Sequence, residues 1–138
     1  MKTTISYFLL AIVLFLVSCD RNNSISSNTS LVAASGSWRV TLFTDSGNDE
    51  TADFSGYSFT FSSTGTVTAV KNGVSKTGTW SVSSSSNKFN IDLGPKDNTN
   101  LPLGELTDDW KILSSNATEI RLGDDNTASN EFLTFSKN

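Results

Sequence analysis

The 138-residue chain carries 14 acidic against 10 basic side chains, a formal net charge of −4, with one cysteine and no histidine. The missing histidine removes Ser-His-Asp triads and the usual zinc sites, and an acidic chain without a basic patch is a poor match for nucleic acid. A lone cysteine leaves no intrachain disulfide to staple the fold.

The chain opens with Lys2 and an unbroken apolar run from Tyr7 to Val17. A membrane span needs about 18–25 apolar residues, so this run has the length of a signal-peptide hydrophobic region instead. It ends in Leu16-Val17-Ser18-Cys19, and the chain then turns abruptly polar through Asp20-Arg21-Asn22-Asn23-Ser24. The stretch resembles the lipobox of bacterial lipoproteins. That resemblance implies diacylglyceryl transfer to the Cys19 sulfur, cleavage before Cys19 and acylation of the new amine with a fatty acid such as palmitate. Two or more acyl chains hold a protein stably at a membrane, where one does so marginally. The alternative is an ordinary secretory signal with a chance cysteine. Residues 1–18 are thus read as signal peptide, 19–35 as the lipidated Cys19 and a tether, and 36–138 as one folded domain. The expected location is the bacterial cell envelope, at the outer membrane rather than the inner one that Asp20 would favour in some bacteria.

Within the tether, Asn22 to Ser30 is rich in serine and asparagine and is expected to be flexible coil, reaching on the order of 20–24 Å. Thr29 or Ser30 can cap a short turn through Leu31-Val32-Ala33-Ala34, and more linker is the equal alternative. From Gly36 the hydrophobic period is two, which predicts eight strands. The first sets Trp38, Val40 and Leu42 on one face against Arg39 and Thr41. In the second, Tyr57, Phe59 and Phe61 alternate with Ser58, Thr60 and Ser62. Thr66 to Lys71 follows, then Asn72-Gly73, the two-residue signal for a type I′ hairpin, and the return strand Val74 to Val82. The remaining strands are Phe89 to Leu93, Asp109 to Leu113, Thr118 to Leu122 and Glu131 to Ser136. No stretch after Ala34 has a helical period.

Consecutive strands joined mainly by short turns predict an antiparallel up-and-down meander, and closing it into a barrel removes the exposed edges. The connections Ser62–Gly65, Ser83–Asn87 and Ser114–Ala117 are short and share one end. Thr44–Gly56, Gly94–Thr107 and Gly123–Asn130 are long and share the other, with the Asn72-Gly73 hairpin. The tether enters at the tight end, which places the long loops facing away from the membrane.

Gly36-Ser37-Trp38 resembles the Gly-x-Trp that opens the first strand of lipocalins, and Phe132-Leu133-Thr134-Phe135 resembles their closing strand. Over roughly Leu31 to Asn138 the chain is similar to the lipocalin-like domains of small bacterial lipoproteins. The resemblance implies an arginine from late in the barrel packed over Trp38, for which Arg121 is the candidate.

An eight-stranded barrel is either filled by side chains or just wide enough for one small ligand. The inward candidates for lining such a pocket are Trp38, Tyr57, Phe59, Phe61, Trp80, Phe89, Trp110 and Phe135. The reading favoured over a pocket is a plain core, since so many large side chains in so short a chain leave little room for a cavity. The long loops carry Asp45, Asp49, Glu50, Asp53, Asp97, Glu105, Asp108, Asp124 and Asp125 against Lys96. A solvated acidic rim is expected. Calcium is the alternative, although only Asp45-Ser46-Gly47-Asn48-Asp49 faintly resembles a binding loop and no segment has EF-hand spacing. No metal or other cofactor is expected, and no enzyme activity: pairs such as Asp108-Asp109 point to opposite faces of a strand. Two functions fit: a tethered binder of a small hydrophobic ligand, or a packed structural module that meets an envelope protein partner through its loops.

Overall fold

In the computed structural model, residues 28–138 are described; the lipobox, Cys19 and the first part of the tether lie outside them. The described chain is all-β apart from a short helix at 28–33 and two four-residue 3-10 turns. The strands are β1 (Ser37–Asp45), β2 (Asn48–Asp49), β3 (Ser58–Phe61), β4 (Thr66–Lys71), β5 (Val74–Ser83), β6 (Lys88–Asp92), β7 (Asp108–Ser115), β8 (Glu119–Gly123) and β9 (Phe132–Lys137). Every neighbouring pair is antiparallel, and β9 returns to pair with β1 from Trp38↔Lys137 to Thr44↔Phe132. The meander therefore closes as an eight-stranded barrel, with β2 a two-residue appendage on β1.

Local chemistry sets the corners. Asn72 and Gly73 both take positive φ, 52° and 78°, the pair of left-handed residues that a type I′ turn requires. Ser46 and Gly47 do the same at 51° and 81°, so the faint calcium-loop resemblance at 45–49 is the tip of the β1–β2 hairpin. In β5, a Cβ on Gly78 would stand 2.0 Å from the Asp92 carbonyl oxygen. Only glycine lets β5 and β6 approach there.

The strand alternation is interrupted in two ladders, between Ile112 and Ser114 where β7 meets β8 and in β1 against β9. A bulge between Val40 and Leu42 in the β1–β9 ladder turns Phe43, rather than Leu42, fully into the core. An extra residue in one strand breaks the period of two and re-aims the side chains beyond it. Phe43 meets Phe54 edge-on at 5.1 Å between ring centroids, and Phe54 comes from the 3-10 turn Thr51–Phe54. That turn covers the seam where β1 pairs with β3 only at Ser37↔Thr60 and Trp38↔Phe59. The Thr51 hydroxyl accepts from the Phe43 amide at 2.8 Å.

Both ends of the barrel are stoppered. At the tight end the helix at 28–33 lies against the core, with Thr29 and Ala33 fully buried and Val32 packed on it. Thr29 and Ser30 lie within this helix, and the packed unit reaches back before Gly36. At the other end the second 3-10 turn, Leu103–Leu106, buries Leu103 and Leu106.

Candidate functional site

Seven of the eight rings predicted to face inward are buried, and Phe59, Phe61, Trp80, Phe89 and Phe135 meet in one cluster. Phe61 touches Trp80 at 5.3 Å and Phe89 and Phe135 at 5.4 Å, all edge-to-face. Phe59 contacts Phe135 at 5.4 Å, and Trp80 stacks on Phe89. Trp38, Phe59, Phe89, Trp110 and Phe135 have no exposed surface. Centroid separations of 4.5–7 Å are those of rings in direct contact, so the barrel axis is occupied by the protein's own side chains. Tyr57 differs: it is half-buried and borders two surface clefts.

Each tryptophan N–H is bonded to a backbone carbonyl. Trp38 Nε1 donates to Ala33 at 2.9 Å, Trp80 Nε1 to Ser62 at 2.8 Å and Trp110 Nε1 to Leu106 at 3.0 Å. The rings thereby fasten the helix at 28–33, the β3–β4 turn and the Leu103–Leu106 turn to the barrel. Over Trp38 the cation is Lys137, its Nζ 5.7 Å from the ring. Arg121 is exposed on β8, where the alternation turns it outward, opposite in sense to buried Ile120 and Leu122.

Open space lies among the loops of the open end. One cleft, about 420 Å³, is lined by Tyr57, Ala69, Lys71, Val74, Lys76, Leu101 and neighbouring polar groups. Beyond Leu101 and Pro102 a second, about 370 Å³, is framed by Asp45, Glu50, Asp53 and Glu105. Four of the predicted rim carboxylates thus frame one cleft, two lysines line the other, and Asp97 lies within reach of the Lys76 charge. In sequence, Lys96 stands alone among the loop carboxylates because Lys71 and Lys76 belong to strands; the hairpin that joins β4 to β5 carries them to the rim.

The electrostatics follow this division. Glu50 is held above the usual carboxylate range by burial first, then by Asp45, Asp53 and Glu105 around it. Lys96 pairs with Asp108 at 3.0 Å and with Glu131 at 3.8 Å. Burial is the largest single influence on the Lys96 ammonium and pulls it down, but the bond to Asp108 and the charges of Asp108, Glu131 and Glu105 together outweigh it and the net shift is upward. Lys88 similarly bonds Asp125 and lies 3.4 Å from Asp109. Asp49 and Asp97 turn back on Thr51 and Thr99. Among the described residues no group of three or more carboxylates is arranged to hold a metal ion.

The loop between the clefts is fixed by Asn100, which is buried. Its Nδ2 donates to the carbonyls of Leu93 and Pro95 at 3.2 and 2.9 Å, while its Oδ1 accepts from Lys76. Thr107 bonds the Leu93 amide and the Gly94 carbonyl at the loop's far end.

A closed eight-stranded antiparallel barrel with a ring-filled axis and a split-charge rim is the class of protein this defines. It is similar in structure to a DUF4847 family protein from Bacteroides vulgatus ATCC 8482, with a TM-score of 0.57, 18% identity, and coverage of 79% of this chain and 96% of that one. It is also similar to a protein from Burkholderia xenovorans solved by NMR, with a TM-score of 0.51, 16% identity, and coverage of 100% and 99%. At such identities the likeness is one of fold. No family model matches the chain, and no curated protein matches it.

Proposed function

We propose that the protein is a lipid-anchored, non-enzymatic module of the bacterial envelope whose barrel is a rigid platform and whose binding surface is the open end. The carrying observation is the ring cluster about Phe61, in contact with Trp80, Phe89 and Phe135. A ligand on the barrel axis would have to displace these groups, whereas the rim offers clefts without any rearrangement. The anchor rests on Leu16-Val17-Ser18-Cys19. The lipocalin-like reading of the barrel rests on Gly36-Ser37-Trp38, with Lys137 supplying the cation over the tryptophan in place of arginine.

Two experiments test the parts separately. Metabolic labelling with a fatty acid should mark the wild-type chain and leave Cys19→Ser unmarked; equal labelling would remove the anchor. For the platform, the full chain in lipid nanodiscs is titrated with naphthalene methanol, an uncharged apolar probe. Unchanged tryptophan emission and an unchanged unfolding temperature are expected. Saturable quenching with thermal stabilisation would instead favour a hydrophobic ligand held inside the barrel.

A further inference from the structure

We propose that the cleft beneath the β4–β5 hairpin binds a small organic acid, an apolar body carrying one anionic group. This rests on the reading that the open end, and not the barrel axis, is the binding surface. The cleft's charged lining consists of Lys71 and Lys76, with no carboxylate in it. The charged lining of the neighbouring cleft consists of Asp45, Glu50, Asp53 and Glu105. In a chain of net charge −4, an anion is drawn to the first and repelled by the second.

Both lysines keep donors to offer. An ammonium has three N–H groups; Lys76 gives one to Asn100 Oδ1, and Lys71 rests with its Nζ 4.8 Å from the Tyr57 ring centroid. Among the described residues the ion pairs within 4.0 Å are made by Lys88 and Lys96, so neither cleft lysine is neutralised in that way. Asp97, which feels the Lys76 charge, has its Oδ1 engaged by the Thr99 amide and hydroxyl. Asn100 fixes the Lys76 ammonium in place and is itself fixed by two loop carbonyls, so the site is built before a ligand arrives.

The rest of the lining is apolar and shaped. Ala69 and Leu103 are buried and form the floor, and the half-buried Tyr57 ring stands beside them. Val74 and Leu101 stand exposed at the rim, at 74% and 53% of their surface, where the body of a ligand would cover them. The volume, about 420 Å³, falls within the roughly 300–1,000 Å³ of small-molecule sites. Ala69 is the small residue that leaves this space open.

The test uses the full chain in nanodiscs and amide shifts read by NMR, with naphthalene sulfonate as the probe and naphthalene methanol as its uncharged counterpart. Naphthalene sulfonate is expected to shift residues 71–76 and 99–103 saturably. Naphthalene methanol should give no saturable shift at the concentrations that saturate with the sulfonate, since the charge-assisted hydrogen bond it lacks is itself worth roughly tenfold or more. The double variant Lys71→Gln/Lys76→Gln and the filled variant Ala69→Leu should each lose that binding while keeping the folded spectrum, and Lys111→Gln should retain it. Equal affinity for both probes, or binding unaffected by the double variant, overturns the proposal and leaves the platform reading intact. Shifts centred on Phe61, Phe89 and Phe135 overturn the platform reading as well. Sedimentation with phosphatidylglycerol vesicles that depends on Lys71 and Lys76 would make the ligand a lipid headgroup and equally overturn the small-acid assignment.

Discussion

Trp38 combines three roles that the sequence presents as one. Its ring is fully buried, its N–H holds Ala33, and Lys137 lies over its face. Trp38→Phe keeps most of the apolar surface but leaves the Ala33 carbonyl without its donor, which costs about 1–3 kcal/mol in denaturant unfolding. Lys137→Gln removes a partly exposed cation–π contact worth about 0.5–1 kcal/mol; a larger loss from Lys137 than from Trp38 would invert this ranking. Glu50 makes the opposite case. Its raised carboxyl binds a proton more tightly when folded than when unfolded, so its ionised form weakens the fold as pH rises through the folded pKa. Glu50→Gln should therefore raise the melting temperature at neutral pH, and the gain should vanish below the ordinary glutamate range. A gain that persisted in acid would arise from something other than the charge, and a loss at neutral pH would mean that the carboxylate is held by a favourable partner.

At the scale of elements, strands were legible where alternation was unbroken. Thr66 to Lys71 and the Asn72-Gly73 turn are found at their predicted positions, because side-chain alternation and left-handed glycine chemistry are local properties. Features decided by non-local pairing were not legible. The β1 bulge depends on β9, nearly a hundred residues away, so Leu42 rather than Phe43 was expected inside. The turns Thr51–Phe54 and Leu103–Leu106 are four residues each, too short to show a period. The inward rings were foreseeable, but whether they enclose space or fill it depends on ring-to-ring geometry that no pattern contains. The basic cleft was missed for a related reason, since it unites a hairpin with a loop some 25 positions later. Gly78 is the element-scale prediction: Gly78→Ala would force a Cβ to 2.0 Å from the Asp92 oxygen. It should destabilise by at least about 2 kcal/mol, and amide exchange should rise first along β5 and β6. Wild-type exchange there would mean the two backbones have room to part.

For the molecule as a whole, the two ends of the barrel differ in what they present. The tight end joins short turns to the helix at 28–33, and the open end carries one cleft with an acidic and one with a basic charged lining. Because Cys19 is the chain's only cysteine, cysteines introduced singly report cleanly on exposure. On membrane-bound protein, Asn98→Cys should label faster with a maleimide than Ser85→Cys; equal shielding would contradict an open end directed away from the bilayer. Above all, the barrel axis is filled by its own rings, and the binding surface proposed above is the rim. Intermolecular NOEs from naphthalene methanol in large excess test this most directly. The expected result is no cross-peak to the ring protons of Phe61, Phe89 or Phe135; cross-peaks to those rings would place a ligand within the barrel and contradict a filled axis.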